Sequence, residues 1–461
     1  MSDGFRFNAV LTPWIAPLGM ARSSGAFLRP WRASLLRLIV CGSDRFMYDA
    51  PRTRWEQDMT TRGKWIIGLV AVAEAMILAA IVVGVLLWRR SPAPDVAPAP
   101  PGADPSSPSF GEASWPIWRG DPALRGQATG TLPDALRLVW QYKTQGKIKS
   151  SAVVDQGRVF VGSLDGRIYA LDLRTGKRLW SFETKGAVEA PPLVHENMVY
   201  VGSDDTFVYA LDAETGHVRW RFETGDKIIG APNLAPQPDG TIGIVVGSYD
   251  TRLYCMNASD GEELWVYETD NYINGTAAVG DGRAVVGGCD AQIHIVDTAD
   301  GKPLGTVDAR AYIAASAALA DGRVYLGNYD GLLLCVDLSD GQVVWEYADI
   351  EAPLLSSAAV TDRYVMIGAQ DQRLHCLNRA DGSVVWTFAT QGDVDGSPVV
   401  CGDKVIFGSG DGRIYLLSLE DGKEVWSYEI GAAVMTSPAV AANRVVFGAE
   451  DGVVYVFGPS R

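Results

Sequence analysis

The sequence predicts an all-β chain, an eight-bladed β-propeller of four-stranded antiparallel blades, and two observations carry the prediction. The first is a stretch that keeps returning. Residues 162–180 read GSLDGRIYALDLRTGKRLW, and related copies occupy 202–220, 247–265, 327–345, 368–386 and 408–426. A degenerate copy runs over 287–305, and a truncated one opens at Gly448. The second is the count. The Asp following Gly-x-x recurs at Asp165, Asp205, Asp250, Asp290, Asp330, Asp371, Asp411 and Asp451, at intervals of 40, 45, 40, 40, 41, 40 and 40 residues. Self-similarity at that period fixes the architecture before any local reading begins.

Each copy has the pattern of a sheet. RIYALDL alternates polar and apolar residues, the period of a strand with two unlike faces. RVFVG before it and RLWSFET after it are rich in β-branched and aromatic residues. Asp165-Gly166 and Thr175-Gly176 fall between these runs and suit tight hairpins. SSAVVD at 150–155 supplies a fourth strand. Such a sheet cannot bury both faces alone, so copies stack, and closing the stack into a ring leaves only short edges. A Trp column reads Trp140, Trp180, Trp220, Trp265, Gly305, Trp345, Trp386 and Trp426. Trp140 precedes the first Asp and no Trp follows the last, so strand 138–144 (LVWQYKT) is expected to complete the last blade and latch the ring.

The pattern Ala-x-Asp-x-x-Thr-Gly-x-x-x-Trp is met in full at Ala170, Asp172, Thr175, Gly176 and Trp180, and again at Ala210, Asp212, Thr215, Gly216 and Trp220. At these residues the chain resembles the eight-bladed propellers of the pyrroloquinoline-quinone (PQQ) repeat superfamily, over roughly residues 115–458, and in particular its BamB-like membrane-anchored branch. The resemblance implies that the Trp column docks each blade against the next. It is specific for fold and leaves function open, because the superfamily includes quinoprotein dehydrogenases, the assembly lipoprotein BamB and anchored proteins of unassigned role.

In chain order, residues 1–64 carry ten Lys/Arg against five Asp/Glu without clear periodicity. They are read as a basic, disordered leader, or as untranslated if synthesis starts at Met59. Cys41 is not read as a lipidation site, since bulky Val40 precedes it and Arg37 breaks the apolar run. Residues 65–88 hold one charge, Glu74, and carry Trp at both ends. At about 1.5 Å per residue they span a bilayer core of about 30 Å. The run ends on Arg89-Arg90 rather than on small residues, so it reads as an uncleaved single-pass anchor with interfacial Trp belts. Arg45, Arg52, Arg54, Arg62 and Lys64 outweigh Arg89 and Arg90, which places the N-terminus inside if the leader is real. The resemblance implies the same orientation, with the propeller on the periplasmic side of the cytoplasmic membrane. Residues 89–113 form a Pro/Ala-rich, extended linker. Residues 114–458 are the propeller, opened by WPIWRGDP, in which Trp115 and Trp118 anchor a segment packed on the ring and Arg119-Gly120-Asp121 reads as a turn.

From residue 114 onward 28 Lys/Arg face 46 Asp/Glu, a net charge of −18. That argues against nucleic acid and against docking on anionic lipid. The column Asp residues have a sufficient structural cause in their hairpin turns. Quinoprotein dehydrogenases of this superfamily place PQQ and Ca²⁺ at the ring axis, and their best-known members cap the cofactor with a disulfide between adjacent cysteines. This chain has no Cys-Cys pair, and its blades average about 41 residues, with no inserted loop of the length those enzymes use. Cys255, Cys335 and Cys376 take the Ala170 column and are expected to be buried thiols, while Cys289 and Cys401 fall in or near turns.

The innermost strands begin with small residues, from Ser150-Ser151 to Thr436-Ser437, as crowding at an axis requires. Just before them stand Lys149, Glu189, Ile229, Asn274, Ala314, Leu355, Asp395 and Met435, expected to rim one channel mouth with Lys147, Lys227, Tyr272, Tyr312 and Asp393 nearby. In blade four, Lys302-Pro303-Leu304-Gly305 replaces the run into Trp and predicts a short or distorted outer strand. Blade three carries an extra stretch at 236–240, a longer turn. The reading is a non-catalytic, membrane-anchored scaffold that binds envelope or membrane proteins, touches the bilayer through 65–88 and binds no nucleic acid. No metal or cofactor is expected. The alternatives are a divergent dehydrogenase using PQQ and Ca²⁺, or a propeller sensing a small ligand.

Overall fold

Among the described residues, 33 short strands form eight sheets, in which the middle strands of each blade are buried on both faces and the outermost reaches solvent. The molecule is seen in a computed structural model that describes residues 112–460. The leader, the anchor at 65–88 and nearly all of the linker lie outside the described residues. Among the described residues no helix is long and apolar enough to cross a membrane. Blade 1 comprises Val153–Asp155, Arg158–Ser163, Arg167–Asp172 and Arg178–Glu183. Blades 2 to 7 repeat it, with innermost strands starting at Leu193, Asn233, Ala278, Ala318, Ala359 and Val399. Blade 8 takes three strands from the C-terminal end, and its outermost strand, Leu136–Lys143, comes from the other end of the propeller. That strand pairs antiparallel with Val453–Pro459 (Tyr142 opposite Val454, Trp140 opposite Val456). The ring is thereby closed by pairing residues more than 300 positions apart, and no long sheet edge is left open.

Every outermost strand skips one residue just before the Trp column. In blade 1, Ala170 pairs with Trp180 and Leu171 with Arg178, so Leu179 bulges out. This shared bulge explains blade 4, where the sequence predicts a short or distorted strand. Pro303–Asp308 is six residues long, like most of its counterparts, with Gly305 opposite Ile295 and Pro303 opposite Val296. Pro303 is the first residue of an edge strand, where a missing N–H costs no ladder bond. The five-residue excess in blade 3 forms the turn between Asn233–Pro236 and Ile242–Gly247, closed by Gln237 N–H on Thr241 O at 2.8 Å.

The core lies between blades. Tyr200, Val208 and Ala210 of blade 2 pack on Ile244, Val246 and Met256 of blade 3, and comparable layers separate the other blades. The indole of Trp180 lies on Gly216, where an added Cβ would stand 2.7 Å from the ring, and its Nε1–H donates to Ala213 O at 3.0 Å. Trp140, Trp220, Trp265, Trp345 and Trp386 make the same bond to the next blade, at 2.8 to 3.0 Å. Gly305 leaves the interface between blades 4 and 5 without an indole. There Leu338 O accepts from Arg283 Nη1 at 3.3 Å instead.

The repeating Asp ties three segments together. Asp165 Oδ1 accepts the Arg167 N–H within its own turn, while Oδ2 accepts the Gln145 N–H of the preceding loop and the Tyr169 hydroxyl, at 2.7 to 3.0 Å. In blades 4 and 6 His294 and His375 replace that Tyr, each bonded to its Asp at 2.9 Å and to a Tyr hydroxyl, Tyr267 or Tyr347. Burial lowers the His375 pKa. Cys255, Cys335 and Cys376 are fully buried thiols outside any disulfide, and burial pushes Cys255 and Cys376 up to about 12.

Residues 112–128 circle the face that carries the turns between the two inner strands. Glu112 O accepts from Ala442 of blade 8, Trp115 bridges Val154 of blade 1, and Pro116 O accepts from Val194 of blade 2. Pro122 O accepts from the Asn233 side chain of blade 3 and from Val279 of blade 4. Ala123, Arg125 and Gly126 carbonyls accept from Leu319, Val360 and Val400 of blades 5, 6 and 7. One clasp thus touches all eight blades in order before rising as the outer strand of blade 8. Within it Arg119 is buried, donating to Pro398 O at 2.6 Å and Ala358 O at 2.8 Å, so its triplet with Gly120 and Asp121 is a packed turn and not a displayed adhesion motif. Burial pushes this guanidinium down to about 9.

Candidate functional site: the axial mouth

The clasp closes one end of the ring axis. Trp118 forms the floor of an axial cavity of about 200 Å³, its Nε1–H reaching Ser437 Oγ at 3.3 Å. Small residues around the axis do more than relieve crowding. Six backbone N–H groups donate to the hydroxyl of the next blade: Ala231 to Thr276, Thr276 to Ser316, Ser316 to Ser357, Ser357 to Ser397, Ser397 to Ser437 and Ser437 to Ser151, at 2.8 to 3.2 Å. The stitching stops at Pro191, which offers neither hydroxyl nor N–H.

The other end is open. Lys149, Glu189, Ile229, Asn274, Ala314, Leu355, Asp395 and Met435, one per blade, all line the cavity. A second circle lies outside them, because the loop entering each inner strand bonds the next hairpin turn. Lys147, Lys227, Tyr272, Tyr312 and Asp393 carbonyls accept from the N–H groups of Leu164, Tyr249, Cys289, Tyr329 and Gly410. The repeat therefore holds every residue singled out in the sequence around one mouth.

The mouth is chemically lopsided. Lys149 pairs with Glu189 at 3.5 Å, which neutralises blades 1 and 2. Over blades 3 to 5 lies an aromatic arc. Tyr249 and Tyr272 stack with centroids 5.1 Å apart, Lys227 Nζ sits 4.3 Å from the Tyr249 centroid, and Tyr272, Tyr312 and Tyr329 are half exposed or more. Opposite, Asp395 accepts from Gln370 Nε2 at 3.3 Å through Oδ2, while its Oδ1 is buried without a donor. Asn274 donates to Cys289 Sγ at 3.1 Å, and its Oδ1 and that of Asp204 are likewise buried without a donor. Burial raises the pKa of Asp395 and Asp204, with Asp393 and Glu189 adding to the respective shifts.

Comparison with known proteins follows from this geometry. The family model described as "Outer membrane protein assembly factor BamB", a PQQ-repeat model, matches residues 133–271, 234–353 and 348–460. The chain belongs to this family. No curated protein matches it. Among solved structures, this PQQ-repeat propeller is similar to BamB from Moraxella catarrhalis, at 19% identity and TM-score 0.59, over 71% of this chain and 98% of the other. It is similar to the computationally designed protein Ika8, at 21% identity and TM-score 0.61, over 69% and 98%. It is also similar to the quinohemoprotein alcohol dehydrogenase from Comamonas testosteroni, at 15% identity and TM-score 0.64, over 76% and 81%. At these identities the likeness shows the fold.

The dehydrogenase likeness calls for a test of whether the mouth of this PQQ-repeat propeller suits a quinone. PQQ is a planar tricarboxylate and needs cations. The one cation on the rim, Lys149, is already paired, and the unpaired charge, on Asp395, is negative. Among the described residues no three His, Cys, Asp or Glu side chains are grouped to hold a metal ion. The residues present do not fit the group. Sequence reasoning missed the floor, the hydroxyl stitching, and Asp204, Tyr249 and Tyr329. The last three were legible in principle, since all stand one residue before the column Asp, where the repeat sets backbone but not side chain.

Proposed function

We propose that this propeller is a membrane-anchored scaffold in the cell envelope that binds other proteins through its open axial mouth. The observation that supports this best is the contrast between its two faces. On the clasp face, every blade is hydrogen-bonded to residues 112–128. On the mouth face, eight unlike side chains stand at equivalent positions and border half-exposed tyrosines, a composition suited to protein recognition. The anchor at 65–88 and the linker supply the tether, and the first described residue, Glu112, lies on the clasp face, bonded to Ala442. The periplasmic location is part of the proposal; it is supported by the charge flanking the anchor if the leader is translated, and by membership in the family described as outer membrane protein assembly factor BamB.

The test is in vivo photo-crosslinking from Tyr312, on the mouth, compared with Gln127, on the clasp. Discrete adducts from Tyr312 alone support the scaffold. Micromolar, Ca²⁺-dependent binding of PQQ to the full chain overturns it in favour of the dehydrogenase reading, which the structural likeness to quinohemoprotein enzymes keeps in play.

A further inference from the structure

We infer that the axial mouth receives the guanidinium of a single arginine presented by a loop of the partner protein. This rests on the scaffold reading and adds the chemistry of what is bound. Of the eight rim residues, Lys149 and Glu189 cancel, which leaves Asp395 as the net charge of the wall, one negative unit to be matched by one positive side chain. Asp395 lines the cavity, and its carboxylate is held by a single side-chain donor, Gln370 Nε2, at 3.3 Å through Oδ2, so it keeps acceptor capacity for a ligand rich in donors. Arginine carries five N–H donors and no acceptor, in a fork shaped for a carboxylate.

The rest of the cavity suits the same side chain. Ile229, Ala314, Leu355 and Met435 offer apolar wall to its methylene stem, and Trp118 offers an aromatic floor. A volume of about 200 Å³ admits one long side chain and no element of secondary structure. A lysine ammonium is more strongly hydrated and cannot stack, so it fits this partly aromatic site less well. Around the mouth, the stacked pair Tyr249–Tyr272 with Tyr312 and Tyr329 supplies the flat contact area from which such an anchor is presented. The net charge of −18 beyond residue 113 favours approach of a cationic partner.

The test uses the full chain in detergent micelles and three peptides, acetyl-Gly-Tyr-X-Tyr-Gly-amide with X as arginine, lysine or citrulline, followed by calorimetry. The arginine peptide is expected to bind one to one, with lysine several-fold weaker and citrulline, the neutral isostere, at least tenfold weaker. Asp395→Asn is expected to weaken the arginine peptide at least tenfold while its melting temperature equals or exceeds that of the wild type, which shows that the variant is folded. Absence of binding, equal binding of the arginine and citrulline peptides, or an unchanged affinity in Asp395→Asn overturns the inference. The photo-crosslink from Tyr312 separates the two levels. Adducts that persist in Asp395→Asn overturn the arginine and leave the scaffold standing, whereas absence of any adduct from the mouth overturns both.

Discussion

Gly305 is the one position in the Trp column without an indole, and filling it tests whether the column is what docks the blades. At six of the seven filled interfaces the Trp ring covers a turn glycine of the next blade and its N–H reaches a carbonyl there, whereas Trp426 packs on Tyr428 and Phe457. At the vacant one, a Cβ on Gly305 would meet nothing within 4 Å, and a Cβ on Gly341 would meet only Val307 Cγ2, at 3.6 Å. A Trp buries about 150–250 Å² when enclosed, so a half-enclosed ring removes about 75–125 Å² from water, worth about 2–3 kcal/mol at about 25 cal/mol per Å². Ordering the side chain costs roughly 0.5–1 kcal/mol. Displacing Arg283 from Leu338 O costs about 1 kcal/mol more. Gly305→Trp should therefore stabilise by up to about 1.5 kcal/mol. With an unfolding entropy of about 2.1 cal/mol/K per residue over roughly 350 residues, the melting temperature should rise by up to about 2 °C. The assay is thermal unfolding of the full chain followed by near-ultraviolet circular dichroism, with Trp265→Gly as the opposite perturbation. Trp265 lies on Gly301 and bonds Thr298 O at 2.8 Å, so its removal should cost about 3–5 kcal/mol. A fall in melting temperature for Gly305→Trp together with little change for Trp265→Gly would refute the docking role.

Three further outcomes follow from named contacts. Ser437→Ala removes the acceptor of both the Ser397 N–H and the Trp118 indole, leaves buried donors unpaired, and should lower stability by about 1–3 kcal/mol in chemical denaturation. Asp395 has a raised pKa in the fold, so its charged form opposes folding, and that cost is absent below the unfolded carboxylate range near pH 4 and grows as pH rises through the folded value. Asp395→Asn should thus be at least as stable as the wild type at pH 7, with the difference vanishing near pH 3. His375 has a lowered pKa in the fold, so its contribution is intact above the unfolded value near 6.5 and is lost as pH falls from there toward the folded one. The double variant His375→Tyr with Tyr347→Phe copies the Phe182–Tyr209 pair of blades 1 and 2 and should flatten the stability profile between pH 5 and 7.

The parts of the fold legible in the sequence are those in which one residue type does one job at a fixed period. The Asp column, the turn glycines and the Trp column recur because each blade needs the same turn and the same docking contact, so blade number and boundaries followed. Blade 4 is misjudged because Pro303 reads as costing its outer strand a ladder bond, while the shared bulge puts it at the start of that edge strand, where none is lost. The clasp was legible only as WPIWRGDP, a packed segment with two anchors. Its path under all eight blades is held by one or two hydrogen bonds per blade between residues up to hundreds of positions apart, which no local pattern encodes. The rim residues could be named because they immediately precede the small axial pairs. What they form together, a blind cavity with a Trp floor and a single net charge, depended on the clasp.

The same reasoning separates scaffold residues from recognition residues inside the repeat. Where a side chain carries a bond that closes the ring, the eight copies are nearly alike: Asp in the turn, Trp in the outer strand, and Ser or Thr at most axial positions. Some departures from the repeat are compensated locally, although the break at Pro191 is not. Arg283 replaces the absent indole at Leu338 O, and Asn233, in blade 3, occupies its own Leu234 N–H at 2.7 Å while donating to the clasp at Pro122 O. One residue before the axial pairs the copies diverge completely, from Lys to Glu, Ile, Asn, Ala, Leu, Asp and Met, and at Asp395 and Asn274 the divergence leaves oxygens buried without donors. Backbone geometry at these positions is set by neighbours, so side-chain identity is free of any structural task common to all eight blades. A position that is held rigidly, freed from ring closure and left with unmet acceptors is where a repeat scaffold can acquire specificity without weakening its ring.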